Sequence, residues 1–252
     1  MSQPPPPRIA PPGTLSEAEV DLLPATSVGQ LTPAALERII GERPVDLTLY
    51  RQAFTHTDAA MSYGDYERFE FLGDAILGFV CARYLITKFP NESEGFLTVM
   101  RTRLTRSESL YAFAKILGLE QFVIMSGKAI YTGQHRSKKV LEDVFESLVC
   151  AIYMDLGLLS AKTFIHRVFD TMTDWHEMSK DRNFKDQLMR LCHKLHVPLP
   201  IYVCKRNEME RTFTVTVSLE SHVGSGTHHT KKQAEQFAAK QVLLSFGAPV
   251  DD

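Results

Sequence analysis

Glu70 and Asp74 stand four residues apart in "ERFEFLGDAIL", and Asp143 and Glu146 stand three apart in "EDVFESLVCAIYMD". Those spacings put each pair on one face of a helix, about one turn apart. Apolar residues at core spacing surround both: Phe69, Leu72, Ile76 and Leu77 around the first, Val144, Phe145, Leu148 and Val149 around the second. Carboxylates rarely enter a core unless something pairs with them. Four of them together would repel and raise one another's pKa. A divalent cation resolves that conflict, and an all-oxygen set without Cys or His suits magnesium or manganese. Such ions can generate hydroxide from a bound water. No Ser/His or Cys/His nucleophile is needed. A single acidic pair is commonly a solvated helix edge; two pairs, each inside a dense apolar run, point to a metal centre.

Two helices must carry these pairs. The first is predicted from about Tyr66 to Lys88 and the second from Lys138 to Leu156. Thr32 and Pro33 form an N-cap and first helical residue ahead of "AALERII", which Gly41 stops. "LTLYRQAFTH", "EGFLTVMRTRL", "SLYAFAKILGL" and a run from about Ala161 to Thr173 complete a helical set. No alternating strand pattern precedes residue 200, so residues 29–176 are expected to form an all-helical domain. After a linker at 177–182, the helix "FKDQLMRLCHKL" leads to "PIYVCKR", "RTFTVTVSLE" and a third strand near Ser221 to Gly226. "TKKQAEQFAAKQVLLSF" closes a small α-β-β-β-α domain at 183–247, followed by a tail at 248–252. The expected architecture is therefore multidomain, α followed by α+β. Residues 1–28 begin "MSQPPPPRIAPPG" and are expected to form a mostly disordered, proline-rich arm. Ser16 and Glu19 fit a capping box for a short helix near its end.

The 252 residues, 44% apolar and 23% charged, fit a soluble globular protein. The net charge of −2 is unevenly placed. Residues 182–247 hold ten Lys/Arg against five Asp/Glu, and residues 1–181 hold 18 against 23. A basic C-terminal module on an acidic body hints at a polyanion partner. Cys81, Cys150, Cys192 and Cys204 lack zinc-site spacing. With no signal or transit peptide pattern, they lead us to expect a reducing intracellular compartment, cytoplasm or nucleus. No stretch is expected to reach the apolar length of a membrane span. His193 and His196 are expected to be ordinary histidines, without an acidic or cysteine partner to make a metal site.

"ERFEFLGDAIL" resembles the signature of the ribonuclease III family, with Phe69 where leucine is usual and Ile76 where valine is common. "FTHTD", "FPNESEGFLTVMRTRL" and "VLEDVFESLVCAIYMDLG" resemble flanking family segments, and "TKKQAEQFAAKQVL" resembles the last helix of a double-stranded RNA-binding domain. One signature and no internal repeat resemble the compact bacterial-type architecture. The resemblance implies a magnesium-dependent endoribonuclease, with manganese as a substitute, that cuts double-stranded RNA. The implied ends are 5′-phosphate and 3′-hydroxyl with short 3′ overhangs. It puts Glu70, Asp74, Asp143 and Glu146 at the four carboxylate positions. Glu70 and Glu146 would touch the metal most directly, with Asp74 and Asp143 completing or orienting the shell. Glu67 matches a further family acid, with a structural or RNA-orienting role. Phe71 matches a residue that plugs a pocket on a second subunit, implying a homodimer; ordinary core packing is its alternative. Arg101, Arg103 and Arg106 are either phosphate contacts or solvated charge.

The C-terminal module departs further from its pattern. Lys231 and Lys232 keep the family's lysines at the start of the last helix, placed to meet RNA phosphates. Met189 and Arg190 stand where glutamine and glutamate are usual, and "CKRNEMERTF" lacks the usual loop histidine. Arg190, Lys205 and Arg206 are expected to substitute phosphate attraction, and His228 and His229 to border the RNA-binding helix. The alternative function is a non-catalytic double-stranded RNA-binding relative that sequesters RNA, suppresses silencing or associates with ribosomes. Four intact acids favour the enzyme.

Overall fold

The computed structural model describes residues 20, 23–59, 64–180 and 183–248. The capping box at Ser16 and Glu19, most of the proline-rich arm, residues 181–182 and residues 249–252 lie outside them. The chain divides into two compact units, Met1–Asp174 and Trp175–Asp252.

In the first unit, α1 (Pro33–Ile40) starts with the Thr32 side chain accepting from Ala35 N and stops at Gly41, whose φ of 86° needs glycine. Helix α2 (Leu47–Phe54) is capped by Asp46. Helix α3 (Glu67–Lys88) is followed by α4 (Glu94–Thr105), α5 (Ser107–Ile116) and the short α6 (Gly127–Tyr131). The helical run α7 (Lys138–Met172) starts at the Ser137 cap and breaks at Gly157, whose φ of 85° and ψ of 176° are not helical. The sequence expectation of two helices meeting near residue 157 matches that break. Helix α8 (Trp175–Ser179) opens the second unit, at residues given to the domain end and linker in the sequence reading.

Helix α7 is the centre of the first unit. Val144, Phe145, Leu148, Val149 and Ile152 are fully buried in it. The run is long and apolar enough, by length and composition alone, to cross a membrane, which the sequence reading did not expect; it is nevertheless broken at Gly157, and just over half of its most apolar stretch is buried in this unit. Helix α3 crosses α7 at Gly73, where a Cβ would collide with the carbonyl oxygen of Glu146. Farther along α7, Asp155 accepts from Val45 N, Asp46 N and the Tyr50 hydroxyl. That acid therefore fixes the chain entering α2. Thr26 and Met125 exchange two backbone hydrogen bonds of 2.9 and 3.1 Å. The chain before α1 is thus tied to the segment preceding α6 at Thr26.

The second unit holds α9 (Phe184–Leu195), β1 (Ile201–Asn207), β2 (Thr212–Leu219), β3 (His222–His228) and α10 (Lys231–Ser245). The strands form an antiparallel sheet in the order β1-β2-β3, with Tyr202 opposite Val217 and Val217 opposite Gly224. Val215, Val217 and Leu219 pack with Leu188, Cys192, Ala234, Ala238 and Val242 in one small core. Gly224 and Gly226 let α10 lie against β3; side chains there would strike the Ala238 and Ala234 carbonyls.

Candidate metal centre

Helices α3 and α7 bring the two acidic pairs to one cleft of about 690 Å³. Its walls include His56, Tyr66, Glu67, Glu70, Phe71, Asp74, Lys139, Asp143 and Glu146. One carboxylate oxygen from each of Glu70, Asp143 and Glu146 lies within 4.8 Å of the other two. Asp74 lines the cleft but stands outside that convergent set. Asp143 therefore stands with Glu70 and Glu146 in the convergent set. Nor are all four acids buried. Asp143 and Glu146 are 3% and 8% exposed, whereas Glu70 is half-buried and Asp74 is exposed. The reason is geometric: α7 runs through the core, and α3 lies on its surface with these acids at the rim.

The electrostatics are those of a site short of positive charge. Burial first, then the Asp74 and Glu70 carboxylates, push Glu146 up to about 8. Burial also pushes Asp143 up to about 6, outweighing the hydrogen bond from Lys139. The Lys139 ammonium donates to Asp143 Oδ1 at 2.6 Å and to Glu70 Oε1 at 3.3 Å, bridging the two helices. These bonds raise its own pKa. Tyr66 donates its hydroxyl to Asp143 Oδ2 at 3.3 Å, and burial followed by the Asp143 charge raises that phenol too. Lys139 and Tyr66 were missed in the sequence. Lys139 lies four residues before Asp143, a spacing that makes a helical ion pair and was the available signal.

The donor chemistry fits a hard divalent cation: oxygens only, two of them buried, on two helices locked at a glycine. Glu70, Asp143 and Glu146 would hold it, with Asp74 at the rim. A single Lys139 ammonium does not balance four carboxylates.

The other expected residues fall elsewhere. Phe71 lines the cleft edge and is 82% exposed, so it is not core packing within one chain. Glu67 lies at the start of α3 and is exposed. Arg101, Arg103 and Arg106 are not among the described residues lining the cleft. In the second unit, Lys231 and Lys232 are the first two residues of α10, beside the Thr230 cap, and both are exposed. Lys232 shares a cavity of about 450 Å³ with Met189, Leu199 and Tyr202. Arg190 and Arg206 are largely exposed and lie near Asp186 at 3.1 Å and Glu208 at 3.3 Å. Lys205 lies opposite Thr214, alternating with Cys204 and Arg206 along β1. That register turns it to the sheet face away from α9 and α10, apart from Lys231 and Lys232. His228 and His229 directly precede the α10 cap, and His193 and His196 form no metal cluster among the described residues.

Comparison with known proteins places this geometry in a lineage. A family model described as Ribonuclease-III-like matches residues 46–172, and one described as double-stranded RNA binding motif matches residues 184–245. A protein of Paramecium bursaria Chlorella virus 1 is 36% identical over 230 residues, covering 90% of this chain and 84% of its own length. Ribonuclease 3 of Chlorobium chlorochromatii is 34% identical over 227 residues, covering 84% of this chain and 90% of its own. A solved nuclease domain of ribonuclease III from Campylobacter jejuni is 32% identical, with a TM-score of 0.52, covering 55% of this chain and 96% of that one. That structure is described by flexibility in the region involved in its dimer formation. A nuclease-type helical unit with converged carboxylates, followed by a double-stranded RNA binding motif, makes this chain a member of the ribonuclease III family.

Proposed function

We propose that this chain is an endoribonuclease that hydrolyses double-stranded RNA in a reaction dependent on magnesium or manganese. The observation that carries this reading is the convergence of Glu70, Asp143 and Glu146 oxygens from two helices in an open cleft. A bound divalent ion would supply an activated water and stabilise charge on the leaving 3′ oxygen. The chain's own residues do the rest. Glu70, Asp143 and Glu146 hold and orient the ion, and Asp74 adds negative charge at the rim. Tyr66 keeps the Asp143 carboxylate aligned through its hydroxyl. Lys139 offsets part of the negative charge by pairing with Asp143 and Glu70. The backbone of α3 against α7 fixes the separation of the two acidic pairs.

The products on this reading are 5′-phosphate and 3′-hydroxyl ends. Two chains would pair through Phe71, whose ring is too exposed to be explained by its own chain's packing. Leu72 and Phe79 extend the exposed apolar surface of α3. Two clefts in one dimer would cut the two strands at staggered positions, leaving short 3′ overhangs. The second unit would hold the duplex by Lys231 and Lys232 at the positive end of α10.

The test is incubation with a long, perfectly paired RNA duplex, with magnesium and with excess chelator, followed by analysis of fragment lengths and ends. We expect short duplexes with 5′-phosphates only when the ion is present. Intact RNA in both reactions, with the duplex bound, would favour the non-catalytic alternative.

A further inference from the structure

His56 lies on the wall of the same cleft, yet the reading above gives it no task. The fold holds it firmly. His56 N donates to Ile124 O at 2.9 Å, and Ile124 N donates to Phe54 O at 2.7 Å. Its ring nitrogen Nδ1 lies 2.9 Å from Asp58 Oδ1 and 3.2 Å from Asp58 N. Asp58 is itself anchored, because its Oδ2 accepts from Ser126 Oγ at 2.7 Å. Ser126 in turn caps α6. The imidazole stands edge-on to the Tyr66 ring with centroids 5.6 Å apart, and Tyr66 reaches Asp143. One aromatic ring thus separates His56 from the metal carboxylates. Its Nε2 has no hydrogen-bond partner among the described residues.

We propose that His56 is a substrate-contacting residue, donating Nε2–H to a non-bridging oxygen of the RNA phosphate drawn into the cleft. The inference rests on the nuclease reading and adds a residue to it. Charge supplies the reason. Among the described residues lining this acidic cleft, the basic side chains are His56 and Lys139. Lys139 is held by Asp143 and Glu70. His56 remains to meet an anionic backbone. Two proton arrangements put a donor at Nε2. With the ring neutral, Asp58 N–H donates to Nδ1 and the proton sits on Nε2; with the ring charged, Nδ1–H donates to Asp58 Oδ1 and Nε2–H remains. A phosphate oxygen at Nε2 favours either of these over the neutral tautomer in which Nδ1–H donates to Asp58 Oδ1 and Nε2 carries a lone pair, since the partner of one ring nitrogen sets the state of the other. Asp58 is then a positioning residue that acts through His56.

The experiment compares wild type with His56→Phe, His56→Gln, Asp58→Asn and the His56→Phe/Asp58→Asn double variant. Each is measured for kcat and KM on one duplex in magnesium, and for thermal melting. Phenylalanine keeps the ring against Tyr66 and removes both nitrogens. We expect His56→Phe to melt like wild type and to lose about 10- to 100-fold in kcat/KM, the scale of one hydrogen bond to a charged group. His56→Gln, which retains an N–H donor, should recover part of that loss. Asp58→Asn should cost less, and nothing further once His56 is Phe. Wild-type kcat/KM in His56→Phe overturns the proposal alone, as does an equal loss in His56→Gln. An Asp58→Asn loss undiminished in the double variant overturns the positioning role. A wild type that cuts no duplex overturns the nuclease reading and this proposal together.

Discussion

The acids of the first unit and the lysines of the second pose opposite electrostatic problems. Helices α3 and α7 gather like charges beside a hydrophobic core, where each depends on its neighbours and on a counter-charge. Helix α10 leaves Lys231 and Lys232 in water, where each is already solvated. A buried group that loses its partner is left at high energy, whereas an exposed charge is screened and nearly additive. Changes in the first unit should therefore act steeply and together. Changes in the second should act gradually and one at a time.

The largest expected effect is that of Glu146→Gln. It keeps the volume and removes one ligand charge, so cleavage should fall by orders of magnitude while duplex binding persists. Gel-shift and cleavage assays on the same duplex read the two quantities; a variant that cuts like wild type would dismantle the site. Next is assembly. Phe71→Ala should weaken the homodimer by about 2–4 kcal/mol, the cost of an aromatic anchor at a hot spot. Sedimentation over a concentration series measures it, and a wild type that stays monomeric at micromolar concentration defeats the reading.

A pH series sharpens the contrast further. The ordinary values of 3.8 and 4.5 for Asp143 and Glu146 are raised to about 6 and about 8 in the fold. The metal-free folded chain then binds more protons than the unfolded chain across that interval. The stability these two groups contribute is fully present below the unfolded values and is lost as pH rises through 6 and then 8. Melting temperature in chelator should fall between pH 5 and pH 8.5, and magnesium should restore most at the upper end. A flat profile in chelator would mean the acids are less buried than drawn.

The smallest effect belongs to the lysines. Replacing both Lys231 and Lys232 with Ala should lower the slope of log affinity against log salt by about 2, one per phosphate contact. Binding should weaken alike for all duplex sequences. RNA should still be preferred over DNA of the same sequence, because A-form shape and 2′-hydroxyls are read. Salt-insensitive binding that survives the double change would move the RNA surface elsewhere.

The same contrast explains what could be read in the chain. Glu70, Asp74, Asp143 and Glu146 were visible because acids at helical spacing inside apolar runs break the burial pattern. Asp155 lies in the same run and serves a different end, holding Val45 and Asp46, which spacing does not reveal. Lys139 and Tyr66 escaped notice because lysine at a helix start and tyrosine before one are ordinary. The strands of the second unit were legible from alternation, but the face that Lys205 occupies was not, because it depends on register with β2. Arg190 and Asp186 stand at the same four-residue spacing as Lys139 and Asp143, whereas the Arg206–Glu208 pair depends on the β1–β2 turn. His56 lay in a segment marked by family likeness, but the Ser126 hydroxyl that anchors its partner comes from 68 residues farther on.

The close crossing at Gly73 also sets a mechanical limit. With peptide backbone already against peptide backbone there, α3 and α7 have no travel left toward each other. A shortened side chain on either helix cannot be made good by moving the helices inward. Aspartate and glutamate share a charge and differ by one methylene, so they are not interchangeable at positions 70 and 146. Glu146→Asp should behave as a gap in the coordination shell and not as a conservative change.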